Sequence, residues 1–434
     1  MLPIMPWRGS VPTLFTQRQL KQREDVDQAV MSIIADVRKR GDAALIEYTR
    51  RFDGVTLTPE TLYVSRQEVE AAYALVPQDV QDALREAAAN IRAYHERQKR
   101  EDFMETQSGK TLGRVSRPLD AVGLYAPGGT AAYPSSALMN IVPALVAGVG
   151  RIVLTTPPQK DGTVYAATLV AADIASNGKA GTDALRIVRA GGAQAVAALA
   201  LGTESVDRVD RIVGPGNAYV ATAKRMLFGE VGIDMFAGPS EILIVADDSA
   251  NPAWLAADML SQAEHDEMAS AVLLTTSQAI AEAVLSELSR QTPLLPRADI
   301  AARAISGNSM VLVVPDLPTA IEAANAFAPE HLELAVADPG SLLPSVRNAG
   351  CVFMGHHAPE PLGDYWAGTN HVLPTSGTAR FSSALSVDDF TKTISIVSYS
   401  PEALAEAAPK IALLARAEGL EAHARSAEIR QSDV

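Results

Sequence analysis

The chain has 434 residues, 47% hydrophobic but only 5% aromatic, so its cores must pack mainly small aliphatic side chains. At about 150 residues per domain this length suggests two or three domains. Acidic residues outnumber basic ones, 51 to 37, and the net charge of −14 argues against a nucleic-acid partner, because phosphate contacts need clustered Lys and Arg.

Cys351 is the sole cysteine, which excludes an intrachain disulfide and any zinc site built from four cysteines or from paired cysteines and histidines. From Met1 to Phe15 the chain carries Pro3, Pro6, Arg8 and Pro12 where a secretory signal would carry an apolar run. No uninterrupted apolar stretch approaches the ~20 residues of a membrane helix. A soluble, cytoplasmic protein with no membrane partner is the expectation.

In chain order, Asp25–Arg40 and Gln67–Arg100 mix apolar and charged residues at helical spacing, with Gly41 and Pro59 as breaks. From about Arg117 the texture changes. Short β-branched runs then alternate with alanine-rich stretches: Arg151–Thr155, Arg186–Val188, Val209–Val213, Ile242–Val245, Ala271–Leu274 and Met310–Val314. Strands separated by helices of this length predict βαβ units and mainly parallel sheets. The units are too many for one sheet, and Ala237–Ser240 is the expected hinge. The last fifty residues read as helical, ending in a charged stretch from Glu402 to Arg430. That tail is either a solvated terminal helix or an arm docking on another subunit.

The dinucleotide string G-x-G-x-x-G is absent. Gly214-Pro215-Gly216-Asn217 follows a strand and precedes a helix but lacks the third glycine, and Gly128-Gly129 has the same shortfall.

Seven histidines serve the chain, and three lie in short polar strings between Ser261 and His371. Imidazole can ligate a metal or move a proton near neutral pH. Asn251-Pro252 predicts a helix start, and a helix running to about His265 puts Gln262 and His265 on one side near its end. That pair suits a metal, and more readily a surface helix end where His265 complements the dipole. Glu330-His331 follows Pro329, which pushes Ala328 away from helix, so the pair is expected at a loop-to-strand junction. There it serves either as a base beside a water-activating carboxylate or as a surface acid–imidazole pair. Asp364 is expected in the glycine-flanked loop Gly363–Gly368, followed by His371. His95 is expected to be solvated on a charged helix, and His356 and His357 to face solvent.

Taken together the strings resemble the histidinol dehydrogenase family over nearly the whole chain. The matching words are Val122–Gly129, Gly191-Gly192-Ala193-Gln194, Gly214–Asn217, Ala237–Glu241, Gln262–Asp266, Phe327–Leu334 and Gly363–Phe390. The resemblance implies two Rossmann-like α/β domains without the glycine fingerprint, N-terminal helices and a C-terminal helical arm. In those terms residues 1–25 are an N-terminal arm, 26–114 with 239–380 the first domain, 115–238 the NAD-binding domain, and 381–434 an arm swapped in a homodimer.

It also implies zinc-dependent oxidation of L-histidinol to L-histidine through L-histidinal, with two NAD+, at the end of histidine biosynthesis. Gln262, His265 and Asp364 match zinc ligands, one Zn2+ per subunit, and His423 matches a fourth that a second subunit supplies. Glu330 and His331 match the catalytic pair. Ser240, His371 and Glu418 match substrate contacts, to which His331 and the zinc ligands also belong, and Tyr125, Gln194 and Asn217 match positions that hold NAD. Glu418 and His423 lie five apart, about 140° around a helix, so acting together requires a distortion near Gly419 or places on opposite sides of one site. A paralogue oxidising another small alcohol, or a zinc hydrolase with Glu330 as base, stays compatible with the residues alone.

Overall fold

A computed structural model describes residues 2–10, 12, 24–128, 133–235 and 238–431. Much of the N-terminal arm, Gly129, and Ala237 of the expected hinge lie outside these residues. The chain forms two compact units, Met1–Gln98 with Leu119–Phe390, and Lys99–Pro118 with Thr391–Val434. Among the described residues, fourteen strands run from β1 to β14 in chain order.

The first unit contains both predicted parallel sheets. Six strands pair in the order β1 (Ile4–Pro6), β11 (Met310–Val313), β10 (Ser270–Thr275), β9 (Glu241–Ala246), β12 (His331–Ala335) and β13 (Cys351–Met354). Five more follow the order β6 (Leu185–Arg189), β5 (Arg151–Thr156), β4 (Ala121–Tyr125), β7 (Arg211–Val213) and β8 (Gly232–Ile233). All six expected runs are strands. The near-continuous Ile242–Ala246 run belongs to a strand buried along its whole length, as a sheet covered on both faces requires.

Strand alternation divides the large sheet's packing. Ile242, Ile244, Leu273 and Val311 pack with Met259 and Leu260 of the helix Pro252–Ala263, while Leu243, Val245, Leu274 and Leu312 pack with Ile321 and Phe327 of Leu317–Phe327. His331 pairs with Ile242 and Glu333 with Ile244, so both polar side chains of β12 share the face of the first helix. Polar groups on that buried face are the fold's first pointer to function.

Each crossover helix returns the chain to the amino ends of these strands. Asn251 caps Pro252–Ala263, its Oδ1 accepting from Ala253 N at 2.9 Å, and the helix ends beside Gln262 and His265. The helix Leu317–Phe327 ends on Ala328, held in the left-handed region at φ +52° with its N–H donating to Ala324 O at 2.8 Å. Pro329 keeps Ala328 out of a right-handed turn, and Glu330 then enters the sheet at the head of β12.

Several expectations are corrected. Gln67–Arg100 is two helices, Arg66–Ala72 and Gln78–Glu96, because Val76 is extended before Pro77. His95 is fully buried: its Nδ1 donates to Gln98 Oε1 at 2.6 Å, and its Nε2 meets Asn370 Nδ2 at 3.3 Å. Asp364 lies in a short helix, Glu360–Tyr365, that runs through Gly363.

In the second unit the last fifty residues are not all helical. Thr391–Tyr399 is β14, which joins β3 (Lys110–Pro118) and β2 (Phe103–Gln107) in an antiparallel sheet ordered β14-β3-β2. The β2–β3 hairpin turns on Ser108 and Gly109, both at positive φ, as a tight two-residue turn demands. The helices Pro401–Ala417 and Glu421–Glu428 follow, parted at Gly419 with φ +76°, where the spacing of Glu418 and His423 called for a break.

Candidate active site

In the first unit a cleft of about 1110 Å³ joins the two parallel sheets. The five-stranded sheet presents the carboxyl ends of its strands. Tyr125 closes β4 and Gly214–Asn217 follow β7, at the point where strand order reverses and open α/β sheets bind ligands. The six-stranded sheet instead presents amino ends: Ser240 and Glu241 at β9, Glu330 and His331 at β12, with Gln262 and His265 delivered by the returning helix.

The backbone of one residue holds the expected catalytic pair. Glu241 N donates to Glu330 Oε2 at 2.9 Å, and Glu241 O lies 2.9 Å from His331 Nδ1. A carbonyl oxygen only accepts, so Nδ1 carries the ring proton and Nε2 carries the lone pair. His331 is 3% exposed, and Nε2 has no hydrogen-bond partner. Burial pushes its pKa down from 6.5 to about 4. At neutral pH the ring is therefore an uncharged base with a fixed tautomer. Glu330 Oε2 lies 3.7 Å from Nδ1.

Gln262 is 1% exposed, and its Oε1 also lacks a donor. A buried carbonyl oxygen left without a partner costs about 1–3 kcal/mol, so this one calls for a donor or a cation. Burial holds His265 below its ordinary pKa against the opposing pull of Asp364, leaving it neutral as metal ligation needs. His371 Nε2, on the same wall, is unpartnered as well.

Sequence reasoning missed Glu360. It is 2% exposed, its Oε1 lies 3.6 Å from His331 Nε2, and Ser261 Oγ donates to its Oε2 at 3.2 Å. Burial, reinforced by Asp364, pushes its pKa up to about 9. His331, Glu360 and Asp364 offer atoms within 4.8 Å of one another. Treating Gly363–Gly368 as a loop hid the signal: on a helix, Glu360 and Asp364 at i and i+4 share a face. A second buried acid pair, Glu333 and Asp258, lies behind. Burial and the facing Asp258 raise Glu333 to about 9.

The remaining expected residues are placed differently. Asn217 caps the helix Ala218–Leu227, its Oδ1 accepting from Tyr219 N and Val220 N at 3.0 and 3.2 Å. Tyr125 OH accepts from Gly192 N at 3.0 Å. Gln194 is buried and does not line the cleft. Glu418 and His423 belong to the second unit. Burial raises the Cys351 thiol to about 11, so it forms no thiolate nucleophile at neutral pH. His356 Nε2 meets Ser249 Oγ at 3.0 Å, and His357 is exposed.

Residues 16–431 match the family model for histidinol dehydrogenase. The histidinol dehydrogenase of Halalkalibacterium halodurans is 54% identical over 419 residues, 96% of this chain and 97% of its own. That of Bacillus subtilis is 51% identical over 409 residues, 94% of each chain. A crystal structure of histidinol dehydrogenase from Elizabethkingia anophelis shares the fold with a TM-score of 0.92 at 37% identity, covering 100% of this chain and 98% of that one. With a neutral buried imidazole, a carboxylate beside it and unpartnered donors gathered in one cleft, this chain belongs to the histidinol dehydrogenase family of oxidoreductases.

Proposed function

We propose that this chain oxidises L-histidinol to L-histidine through L-histidinal, using two NAD+ and one Zn2+ per subunit, at the end of histidine biosynthesis. The observation that carries this reading is His331: a buried neutral ring whose only basic nitrogen, Nε2, is unpartnered in the cleft.

The donors fit zinc. Gln262 offers an orphaned buried oxygen, His265 a neutral nitrogen and Asp364 a carboxylate, and nitrogen and oxygen ligands suit Zn2+. His331 also stands close to Asp364, but ligation through Nε2 would remove the base. We therefore assign the metal to Gln262, His265 and Asp364, with His423 from a second copy. Bound there, zinc would supply a fixed positive charge that holds the substrate's nitrogen donors.

NAD+, on the wall that carries Tyr125 and Asn217 with Gln194 buried behind it, would supply the acceptor for each hydride. His331 Nε2 takes the carbinol proton as hydride leaves the same carbon, giving the aldehyde. Glu330 removes a proton from water as its oxygen bonds to that carbonyl carbon, and the protonated His331 returns its proton to the carbonyl oxygen, giving the hydrate and freeing the base. His331 then takes a hydroxyl proton of the hydrate as the second hydride leaves, giving the carboxylic acid, which ionises to the carboxylate by losing its remaining proton to water. Ser240 and His371 would hold the substrate between steps, with Glu418, like His423, from a second copy. The protein's own work is positioning and proton transfer.

A homodimer is part of the proposal. The second unit exposes Val397, Leu413, Leu414 and Ile429, each more than two-thirds open, and a second copy is the partner that would cover them. No helix of the described residues is long and apolar enough to cross a membrane, and we assign the cytoplasm as the compartment.

The test is NADH absorbance from purified zinc-loaded protein with NAD+ and L-histidinol. Two NADH per histidinol consumed support the reading. One NADH means that oxidation stops at the aldehyde and removes the role given to Glu330. None, with zinc bound, points to a different alcohol substrate.

A further inference from the structure

Behind the Gly214–Asn217 turn lies a buried ion pair that the reaction does not use. Lys224, on the helix Ala218–Leu227, is only 2% exposed, and its ammonium contacts the Asp234 carboxylate, itself shut off from solvent. Both partners grip the backbone of one residue. Lys224 Nζ donates to Gly214 O at 3.0 Å, and Gly214 N donates to Asp234 Oδ2 at 2.8 Å. Asp234 Oδ1 also accepts from Met235 N at 2.6 Å.

Gly214 cannot be replaced by a residue that would hold itself in place. Its φ is +116°, and a Cβ there would stand 2.3 Å from Tyr125 O. The turn therefore crosses the end of β4 at close range on a residue with no side chain of its own. Its conformation is set from behind by Lys224 and Asp234.

Stability alone is a poor reason for such a pair. Desolvating two charges offsets most of their attraction, and apolar replacements of similar volume are often neutral or better. What an apolar pair could not do is hold the Gly214 N–H and C=O at once. We propose that Lys224 and Asp234 are positioning residues that set the Gly214–Asn217 turn in the shape that receives the dinucleotide. The inference rests on the reading that this wall binds NAD+, and it assigns the turn's order to two side chains outside the bound molecule.

The test compares wild-type enzyme with Lys224→Met and with the double variant Lys224→Met/Asp234→Asn, all zinc-loaded. The single variant buries an unpaired carboxylate and is expected to lose thermal stability. The double variant removes that charge and is expected to recover it, so it carries the test if the single variant does not fold. In both, Gly214 O loses its donor. The KM for NAD+ should rise about tenfold or more, because only a fraction of the loosened turn is competent to bind. The KM for histidinol should change less than about twofold, since none of its assigned contacts lies on this sheet.

Recovery of NAD+ affinity together with stability in the double variant would make the pair merely structural and overturn the proposal. So would equal changes in both KM values. A wild-type enzyme that neither reduces nor binds NAD+ would overturn this inference and the dinucleotide reading together. Intact wild-type turnover without the split would overturn the inference alone.

Discussion

Replacing His331 with Asn turns the burial of one imidazole into a measurable pH dependence of stability. Asn keeps an N–H that can reach Glu241 O, as Nδ1 does at 2.9 Å, but it has no group that titrates. In the unfolded chain His331 binds a proton below about pH 6.5, whereas in the folded protein it does so only near 4. Between these values the unfolded state holds the extra proton, so stability is present above the upper value and is lost as pH falls. At about 1.4 kcal/mol per pH unit, the wild-type advantage over His331→Asn should shrink by about 1.4 kcal/mol at one unit below 6.5. Two units below, the loss reaches about 2.5 kcal/mol, because the folded ring has begun to protonate. The assay is denaturant unfolding of metal-free protein, wild type against variant, across this range. Taking the difference cancels the titrating groups that do not interact with the ring. A difference that stays flat to a few tenths of a kcal/mol would mean that the folded ring titrates normally, and the argument for a buried neutral base would fail.

Three further outcomes follow from the geometry. Glu333, raised to about 9 by burial and Asp258, favours its neutral form when folded, so its stabilisation is lost as pH rises from 4.5 through 9. Glu333→Gln stays neutral, so its thermal unfolding should depend less on pH in that window; parallel curves for variant and wild type would refute the raised pKa of Glu333. In Gly350→Ala the new Cβ would lie 2.6 Å from Glu330 O, 3.3 Å from Leu373 Cβ and 3.2 Å from Pro374 Cδ. Displacing Glu330 should lower kcat about tenfold or more with the fold retained by circular dichroism, and unchanged turnover would show that its placement is not critical. Gln262→Leu removes the orphaned oxygen assigned to zinc, so metal content should fall well below one per subunit and a chelator should no longer lower Tm, as it should in wild type. Full zinc occupancy in that variant would exclude Gln262 as a ligand.

The parallel sheets, and the local backbone that carries several candidate site residues, were legible in the sequence. Runs such as Ile242–Val245 are apolar at every position, and only a strand covered on both faces accommodates that, so β9 and its neighbours were legible. Asn251-Pro252 and Pro329 act through local backbone chemistry, so the helix start before Gln262 and the strand entry at His331 were legible too.

Other features depend on contacts between distant segments, which tertiary structure alone decided. The strand β14 has no buried face to give it an alternating pattern and exists through its pairing with Lys110–Pro118. His95 resembles a solvated helix residue until Asn370, 275 positions away, reaches its ring. The fixed tautomer of His331 depends on the Glu241 carbonyl, 90 residues upstream, and Lys224 meets Asp234 only because β8 lies beside β7. Periodicity and capping report local energies, whereas burial, protonation and the aim of a lone pair are set by whatever the folded chain brings alongside.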